Sequence, residues 1–303
     1  MKIERKKKRS TGDVVFNVIN YTVFGIFTLI CILPFYYLFI NTISANDLVS
    51  KGQILLLPKE IHFNNYIEIL NMKGLGMAAL VSVGRTVLGT AGTLIGTSFL
   101  GYVLSKQELW HRKIWYRYVI ITMYFNAGII PWFINMKNLG LTNSFWAYII
   151  PAIVSPFSLI LFKTYVESIP ASLEESAAMD GAGYLVRFTK IIIPLSKPIL
   201  ATIAIFAAVG QWNSFTDTLF LMTDSSKFTL QYLLYQYMNE ANSLADSLMQ
   251  MSESGMAVDM SAMLTATSVK MTVSMVVVLP ILCVYPFFQR FFVNGIMIGS
   301  VKG

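Results

Sequence analysis

The chain has 303 residues, of which 55% are hydrophobic and only 13% are charged, with a mean hydropathy of +0.60 and a formal net charge of +7. Soluble domains usually carry about 25% charged residues, so the composition excludes an ordinary soluble domain and indicates an integral membrane protein. Cys31 and Cys283 lie in apolar stretches, and His62 and His111 stand far apart, so neither a disulfide framework nor a metal site is expected.

Six apolar stretches follow a basic leader, residues 1–13, and each is long enough to cross a bilayer, which takes roughly 20 residues. They lie near 14–40, 75–104, 114–133, 145–166, 199–222 and 268–292. The pattern predicts an all-α membrane protein in which residues 14–303 form a single six-helix transmembrane domain. Prolines inside the fourth and sixth stretches predict kinks, which membrane helices tolerate where neighbours satisfy the freed carbonyls.

The distribution of basic residues predicts the orientation. With the N-terminus inside, 16 of the 23 lysines and arginines fall in inner segments, five in outer loops and two, Arg85 and Lys270, within or beside spans. Positive charges favour the cytoplasmic side, so both termini and the segment 168–198 are expected to be cytoplasmic. This topology explains most of the net charge, and a nucleic-acid partner is therefore not expected.

A hydrophilic segment at 169–182 stands between the apolar stretches and predicts a short helix. Ser172 and Glu175 have capping-box spacing, and carboxylates in a first turn complement the helix dipole. Ala177 and Ala178 leave a low surface that another protein could approach closely. Gly181 is expected to end the helix in a left-handed conformation.

Two further features lie in the membrane stretches and the longest outer loop. Gly92 and Gly96 form a small-xxx-small step, for which we favour packing against this chain's own helices over contact with a partner.

The loop 223–267 is long and acidic, and 230–251 has helical propensity. A connector of this length is usually functional or disordered, so contact with a soluble extracellular partner is expected.

Several motifs resemble those of one family. Glu175-Ser176-Ala177-x-x-x-Gly181, followed after nine residues by Ile191-x-Ile193-Pro194, resembles the EAA motif of permease subunits of ATP-binding-cassette (ABC) importers, with Ser176 and Ile193 departing conservatively from it. The segment 211–215 and the tail 292–303 resemble the carbohydrate branch, in particular permeases like the maltose-transporter G subunit. Residues 125–131 resemble the subgroup for complex-glycan oligosaccharides.

The resemblance implies a type I ABC importer permease fold in the plasma membrane of a prokaryote. The implied partners are a second homologous permease, a cytoplasmic ATPase dimer, an extracellular sugar-binding protein, membrane lipid and an oligosaccharide. The chain has no GxxxxGK[ST] segment, so it is expected to be a transport subunit and not an enzyme. No cofactor is expected in this chain, and ATP and magnesium would bind to the partner ATPase.

Two sets of site residues follow, with no catalytic residue and no metal ligand. The set expected to couple to the ATPase, through the segment as a coupling helix and through the tail, comprises Glu174, Glu175, Ala177, Ala178, Asp180, Gly181, Val301, Lys302 and Gly303. The set expected to line the substrate pathway comprises Tyr124, Asn126, Gln211, Trp212, Asn213 and Asp217. Polar groups at membrane depth usually face a cavity, although hydrogen bonding between helices is an equal alternative.

Three other functions remain open at this point. One is a permease of the same superfamily for a non-sugar solute such as a polyamine or phosphate, against which the Trp212-Asn213 segment and the tail argue. The other two are a glycan exporter and a membrane enzyme, for which no fused ATPase and no acidic catalytic cluster are visible in the sequence.

Overall fold

The computed structural model describes residues 11–253, 268 and 270–283, and these are mostly helical, with no β-strand among them. The α-helices are α1 (Thr11–Thr42), α2 (Asn46–Ser50), α3 (Asn64–Leu70), α4 (Leu75–Ser105), α5 (Arg112–Tyr124), α6 (Ile129–Asn138), α7 (Pro156–Glu167), α8 (Ala171–Met179), α9 (Tyr184–Arg187), α10 (Ile193–Leu195), α11 (Lys197–Asn213), α12 (Thr216–Leu221), α13 (Leu230–Glu253) and α14 (Lys270–Cys283). Short 3-10 turns lie at Phe145–Tyr148, Ile150–Ala152 and Ser225–Lys227, and a π-helical turn at Phe188–Ile192.

Two helices are each long and apolar enough to cross a membrane unaided. They are α1, with 32 residues, and α4, with 31. At about 1.5 Å per residue both exceed the roughly 30 Å of a hydrocarbon core. The first two predicted spans are therefore confirmed. Along α1, nearly all apolar side chains are exposed within this chain, which is what a helix surrounded by lipid or by a partner subunit requires.

The third and fourth apolar stretches are bent. Within the third, expected over 114–133, α5 and α6 are bent by 116° relative to each other. The break lies where the Asn126 carboxamide oxygen accepts a hydrogen bond from the Gly128 amide at 2.9 Å, a local turn that hydropathy does not register. The fourth bends by 41° beside Pro151 and Pro156, as the prolines predict. The fifth, expected over 199–222, comprises most of α11 followed by α12, and an 80° bend between α10 and α11 lies just before it.

With each bent pair counted as one span, the described residues hold up to five spans. The sixth predicted stretch is described only as α14 and as residue 268, and its remainder lies outside the described residues. The same holds for the leader up to residue 10, for loop residues 254–267, and for Val301, Lys302 and Gly303.

The chain divides into two compact units. One comprises Met1–Ile69 with Ala241–Met275, and its buried core includes Ile40, Val49 and Ile54. The other comprises Leu70–Glu240 with Val276–Gly303. The grouping of residues 14–303 into a single domain stays a prediction.

In the larger unit, α4 packs lengthwise against α7 and α11 through small residues. A Cβ atom built on Gly96 would lie 2.6 Å from the backbone oxygen of Ile153, so only glycine allows this approach. The interpretation of the Gly92–Gly96 step as packing within the chain is therefore confirmed. Close packing along α4 places its polar residues directly against α11, where the polar cluster described below is formed.

Candidate coupling helix and buried polar cluster

The short helix α8 begins two residues earlier than the predicted capping box implies. Pro170 occupies the N-cap position, and its carbonyl accepts a hydrogen bond from the Leu173 amide at 3.2 Å. Ser172 consequently lies inside the first turn, and no side chain caps the helix. The predicted capping box of Ser172 and Glu175 was therefore wrong. Because the helix starts at Ala171, the Ser172 side chain does not occupy the position from which it could cap the first turn.

The end of α8 follows the prediction. Gly181 has a φ of +82°, its amide donates to the Ala178 carbonyl at 3.0 Å, and the Ala182 amide donates to the Ala177 carbonyl at 2.9 Å. These two bonds form a Schellman motif, which satisfies carbonyls at the helix end and needs a left-handed residue. The predicted role of Gly181 as a left-handed stop is confirmed, and the motif fixes the direction in which the chain leaves α8.

One side of α8 is attached to the C-terminal end of α4. The Glu174 carboxylate forms an ion pair with Lys106, and it accepts a hydrogen bond from the Tyr102 hydroxyl at 3.3 Å. Both charged side chains are largely covered, at 18% and 14% exposure. The Lys106 ammonium also lies 4.1 Å from the centre of the Tyr102 ring. A covered ion pair with added hydrogen bonds holds its partners more firmly than an exposed one, so α8 and the end of α4 are expected to move together.

The other side of α8 is open. Glu175, Ala178 and Asp180 are exposed, and Met179 is 89% exposed, while Ala177 is half-buried. Among the described residues, Glu175 forms no ion pair. An exposed methionine and two carboxylates around small alanines form a surface suited to contact with another protein.

A cleft of about 600 Å³ beside α8 is lined by both basic and acidic side chains, namely Lys106, Arg112, Arg187, Glu108, Glu167, Glu174 and Glu175. Arg112 and Lys163 both pair with Glu167 of α7, and Lys106 pairs with Glu174. Arg187 differs, because its Nε is buried with no hydrogen-bond partner in the part of the chain that the structure describes. Its guanidinium lies 4.2 Å from the centre of the Tyr184 ring.

A second polar site lies deep between α4 and α11. Arg85, only 2% exposed, donates from both terminal nitrogens to Asp217, at 3.1 and 2.6 Å, and from Nε to the Gln211 oxygen at 3.0 Å. It also donates to the Ser214 carbonyl at 3.2 Å. The Gln211 amide donates to the Tyr148 carbonyl at 3.1 Å. A buried arginine with a bidentate carboxylate and two further acceptors is fully compensated, and the cluster ties three segments together.

The cluster forms one wall of an open cavity of about 570 Å³. Its remaining walls include aromatic rings, those of Trp132, Tyr148, Phe157 and Phe206. The Tyr148 ring lies 4.3 Å from the Arg85 guanidinium carbon. Flat rings and fixed polar groups around a cavity are the combination that sugar rings and their hydroxyls require.

Tyr148 also connects this cluster to the start of α13. Its hydroxyl donates to the Lys227 carbonyl at 2.8 Å and is 3.0 Å from the Thr218 hydroxyl. The turn at Ser225–Lys227 is held by Asp224, which accepts from the Ser226 amide at 2.9 Å and pairs with Lys227 at 2.6 Å. The hydrogen bonds from Lys227 and Ser226 hold the pKa of the Asp224 carboxyl well below its usual range.

The structure separates the six residues predicted for the substrate pathway. Gln211 and Asp217 meet at Arg85 and line the cavity. Trp212 is turned away, with its indole donating to the Val277 carbonyl at 3.1 Å beside an apolar groove. Asn213 is exposed and accepts a hydrogen bond from Gln231 at 3.1 Å. Tyr124 and Asn126 are exposed at the break between α5 and α6, and neither lines the cavity.

Sequence reasoning missed the residues that complete both sites. The sequence analysis used Arg85 only when it counted basic residues to predict the orientation. A charge inside an apolar stretch is, however, itself a signal of a functional or buried polar site. Lys106 was likewise counted only as an inner charge, and Tyr102 carried no signal. Their contacts join residues 68 to 132 positions apart, and such pairings are not visible in a single sequence.

Comparison with known proteins identifies the family. Residues 92–298 match the family described as binding-protein-dependent transport system inner membrane component. The chain belongs to this family. Its members are permease subunits of ABC transporters, so the chain is a membrane transport component and not an enzyme, and hydrolysis of ATP occurs on partner subunits.

Individual relatives match over nearly the whole chain. A polygalacturonan/rhamnogalacturonan transport system permease protein of Bacillus subtilis, YtcP, is 37% identical over 95% of this chain and 99% of its own length. The arabinooligosaccharides transport permease AraQ of the same species is 27% identical over 92% of this chain and 94% of its own length. In a crystal structure of a bacterial ABC transporter involved in the import of the acidic polysaccharide alginate, one chain is 32% identical, with a TM-score of 0.78 and coverage of 95% of this chain and 100% of that one.

Proposed function

We propose that this chain is one of two permease subunits of an importer that moves an oligosaccharide across the plasma membrane of a prokaryote. The observation that carries the proposal is the end-to-end similarity to permeases named for polygalacturonan, rhamnogalacturonan, arabinooligosaccharide and alginate transport. All of these names refer to saccharides, and none refers to a polyamine or phosphate. The aromatic and polar walls of the 570 Å³ cavity support the same substrate class.

The proposed topology has six spans with both termini in the cytoplasm. It is supported by two unbroken spans, the two bent pairs over 112–138 and 145–167, and the apolar helices α11 and α14 among the described residues. The excess of lysine and arginine in the predicted inner segments supports the orientation. In this arrangement α8, α9 and the α4 end that carries Lys106 face the cytoplasm. The loop that holds α13 faces outward.

We propose further that α8 is the coupling helix. Its open face, with Glu175, Ala178 and Met179, would dock on the ATPase, and ATP and magnesium would bind there and not to this chain. Its attached face would pass the movement of the ATPase to α4 through Glu174 and Lys106. Because helices move as rigid bodies in such transitions, a shift at α8 would change the packing of α4 against α7 and α11.

We propose that the cavity beside Arg85 lies on the sugar pathway, with Gln211 and Asp217 in its wall. Both side chains are already hydrogen-bonded to Arg85, which supports a role in holding the wall of the cavity in place. The outward loop with α13 would meet the extracellular sugar-binding protein. Val301, Lys302 and Gly303 stay proposed contacts of the ATPase on the strength of the family resemblance alone.

The proposal is tested by purifying the chain with the second permease, ATPase and binding protein of the same transporter. ATPase activity is then measured with a panel of neutral and acidic oligosaccharides, and with a polyamine and phosphate as controls. Stimulation by an oligosaccharide that requires the binding protein is the expected result. Stimulation by the polyamine or phosphate alone would contradict the proposed substrate class.

A further inference from the structure

The loop between α2 and α3 presents three consecutive leucines that are exposed in the part of the chain that the structure describes. Leu55, Leu56 and Leu57 are 70%, 70% and 71% exposed. The preceding residue, Ile54, is fully buried against Ile40 and Val49. The exposed leucines are thus the outer surface of a packed loop, and isolated soluble surfaces rarely carry such a contiguous apolar patch.

The backbone of the loop is held in place on α1. The Tyr36 hydroxyl donates to the Leu56 carbonyl at 2.6 Å. The Ala45 amide donates to the Lys59 carbonyl at 3.2 Å, and the Lys59 amide donates to the Ser44 hydroxyl at 3.2 Å. The Gln53 amide donates to the Leu48 carbonyl at 2.9 Å, so the backbone is held on both sides of the leucines.

The contact with Tyr36 determines how far along α1, and therefore at which depth in the bilayer, the loop lies. Tyr36 lies six residues before the end of α1 at Thr42, which corresponds to about 9 Å along the helix. The chain leaves α1, turns back and returns to this level, beside the apolar surface that α1 exposes over 14–39. Because α1 is longer than the hydrocarbon core, the level of Tyr36 falls near the boundary between acyl chains and headgroups.

We propose that Leu55, Leu56 and Leu57 insert into the outer boundary of the bilayer and anchor this loop to lipid. The leucine surface continues the exposed apolar surface of α1, and Lys59, which is exposed, flanks it in position to meet lipid phosphates, whereas Lys51 pairs with Asp47 at 3.8 Å. Apolar side chains with basic neighbours are the composition of segments that lie in the membrane interface. The anchor fixes the outer end of α1 at one depth.

The experiment uses the complete importer in lipid nanodiscs. Cys31 and Cys283 are replaced by serine, and a nitroxide label is attached to Leu56→Cys or, as the control on the same loop, to Lys51→Cys. Collision of each label with oxygen, which concentrates in lipid, and with a water-soluble nickel chelate is measured by electron paramagnetic resonance. Labels at Leu55→Cys and Leu57→Cys show whether the neighbouring positions have the same access to oxygen and to the nickel chelate. Co-elution of all subunits verifies that the importer is assembled.

The anchor predicts that oxygen relaxes the label at Leu56→Cys several-fold more than the nickel chelate does, with the opposite order at Lys51→Cys. Equal access of the nickel chelate at both positions would place the leucines in water and overturn the proposal. Protection of Leu56→Cys from both reagents would mean that a protein covers the loop, either the second permease or the binding protein, and would overturn it as well. The measurement needs no transported sugar, so it is independent of the proposed substrate.

Discussion

Glu174 and Lys106 form a covered ion pair that joins α8 to the end of α4, whereas Glu175, the next residue, lies on the open side of α8. Adjacent carboxylates on one short helix therefore have separate tasks in the proposed mechanism. Glu174 holds the helix to its own subunit, and Glu175 is offered to the ATPase. The EAA resemblance alone placed both in one group of coupling residues, and the contacts of the structure are the basis for separating them.

Reversal of the charge at Glu175 tests the open face. Glu175→Lys is expected to insert and fold normally, because the side chain is exposed and has no ion pair among the described residues to lose. The variant is expected to lose most of the ATPase during mild detergent purification, as measured by the ratio of subunits after size exclusion. Glu240→Lys, the same change at an exposed position of α13, is the control and is expected to retain the ATPase. Full retention by Glu175→Lys would remove this residue from the docking surface.

Gly181 tests the geometry of the turn after α8. A side chain at its φ of +82° costs roughly 1 kcal/mol or more, although nothing in the described chain lies within 4 Å of the added Cβ. Gly181→Val is therefore expected to displace the chain after α8 and weaken ATPase binding without unfolding the spans. Gly183→Val is the matched control, because Gly183 has a φ of −67° and equally open surroundings. Equal behaviour of the two variants would show that the left-handed turn is unimportant for docking.

The buried pair of Arg85 and Asp217 is expected to be essential for packing. Asp217→Asn leaves the buried guanidinium without a counter-charge, and removal of one partner from a buried pair typically costs about 3 to 5 kcal/mol. The expected result is a lower unfolding midpoint in detergent. Replacement of both partners, Arg85→Met with Asp217→Leu, is expected to recover much of the loss. An unchanged midpoint in Asp217→Asn would show that water already compensates Arg85 through the cavity.

The outer part of α13 is expected to serve the binding protein and not the fold of the subunit. Leu230 is buried and Tyr235 stacks on Phe215 at 4.8 Å, so the start of the helix is kept. Replacement of residues 241–251 by a Gly-Ser linker is expected to abolish stimulation of the ATPase by the loaded binding protein while basal activity persists. The measurement compares the two activities in proteoliposomes. Normal stimulation would exclude this segment as a contact.

The sequence predicts local features of this protein well and distant ones poorly. The spans at α1 and α4, the helix at 230–251 and the left-handed Gly181 depend on composition or on residues a few positions apart, and the structure has all of them. The predicted capping box was wrong because the helix begins at Ala171, which places Ser172 inside the first turn. The bend of 116° between α5 and α6 has no counterpart in hydropathy, which averages over the turn at Asn126.

The two polar sites also depend on contacts between residues far apart in the sequence, which the sequence does not predict. Arg85 finds its partners 126 to 132 residues away, and Lys106 finds Glu174 68 residues away. Gln211 and Asp217 were predicted as site residues because polar groups in an apolar stretch usually face a cavity or another polar group. This reasoning identified two of the residues that form the cluster around Arg85. The same reasoning could not identify Arg85 as their partner. Arg85 reaches them because α4 packs closely on α11 through glycines, and these contacts are defined only in the folded chain.

The central claim is that α8 passes the work of the ATPase to α4 through Glu174 and Lys106. The most direct measurement is the number of oligosaccharides transported per ATP hydrolysed in proteoliposomes that hold the complete importer. Glu174→Lys and Lys106→Glu are each expected to lower this ratio several-fold while ATP hydrolysis persists, and the double exchange Glu174→Lys with Lys106→Glu is expected to recover most of it. A wild-type ratio in both single variants, or a double exchange no better than either, would contradict the claim.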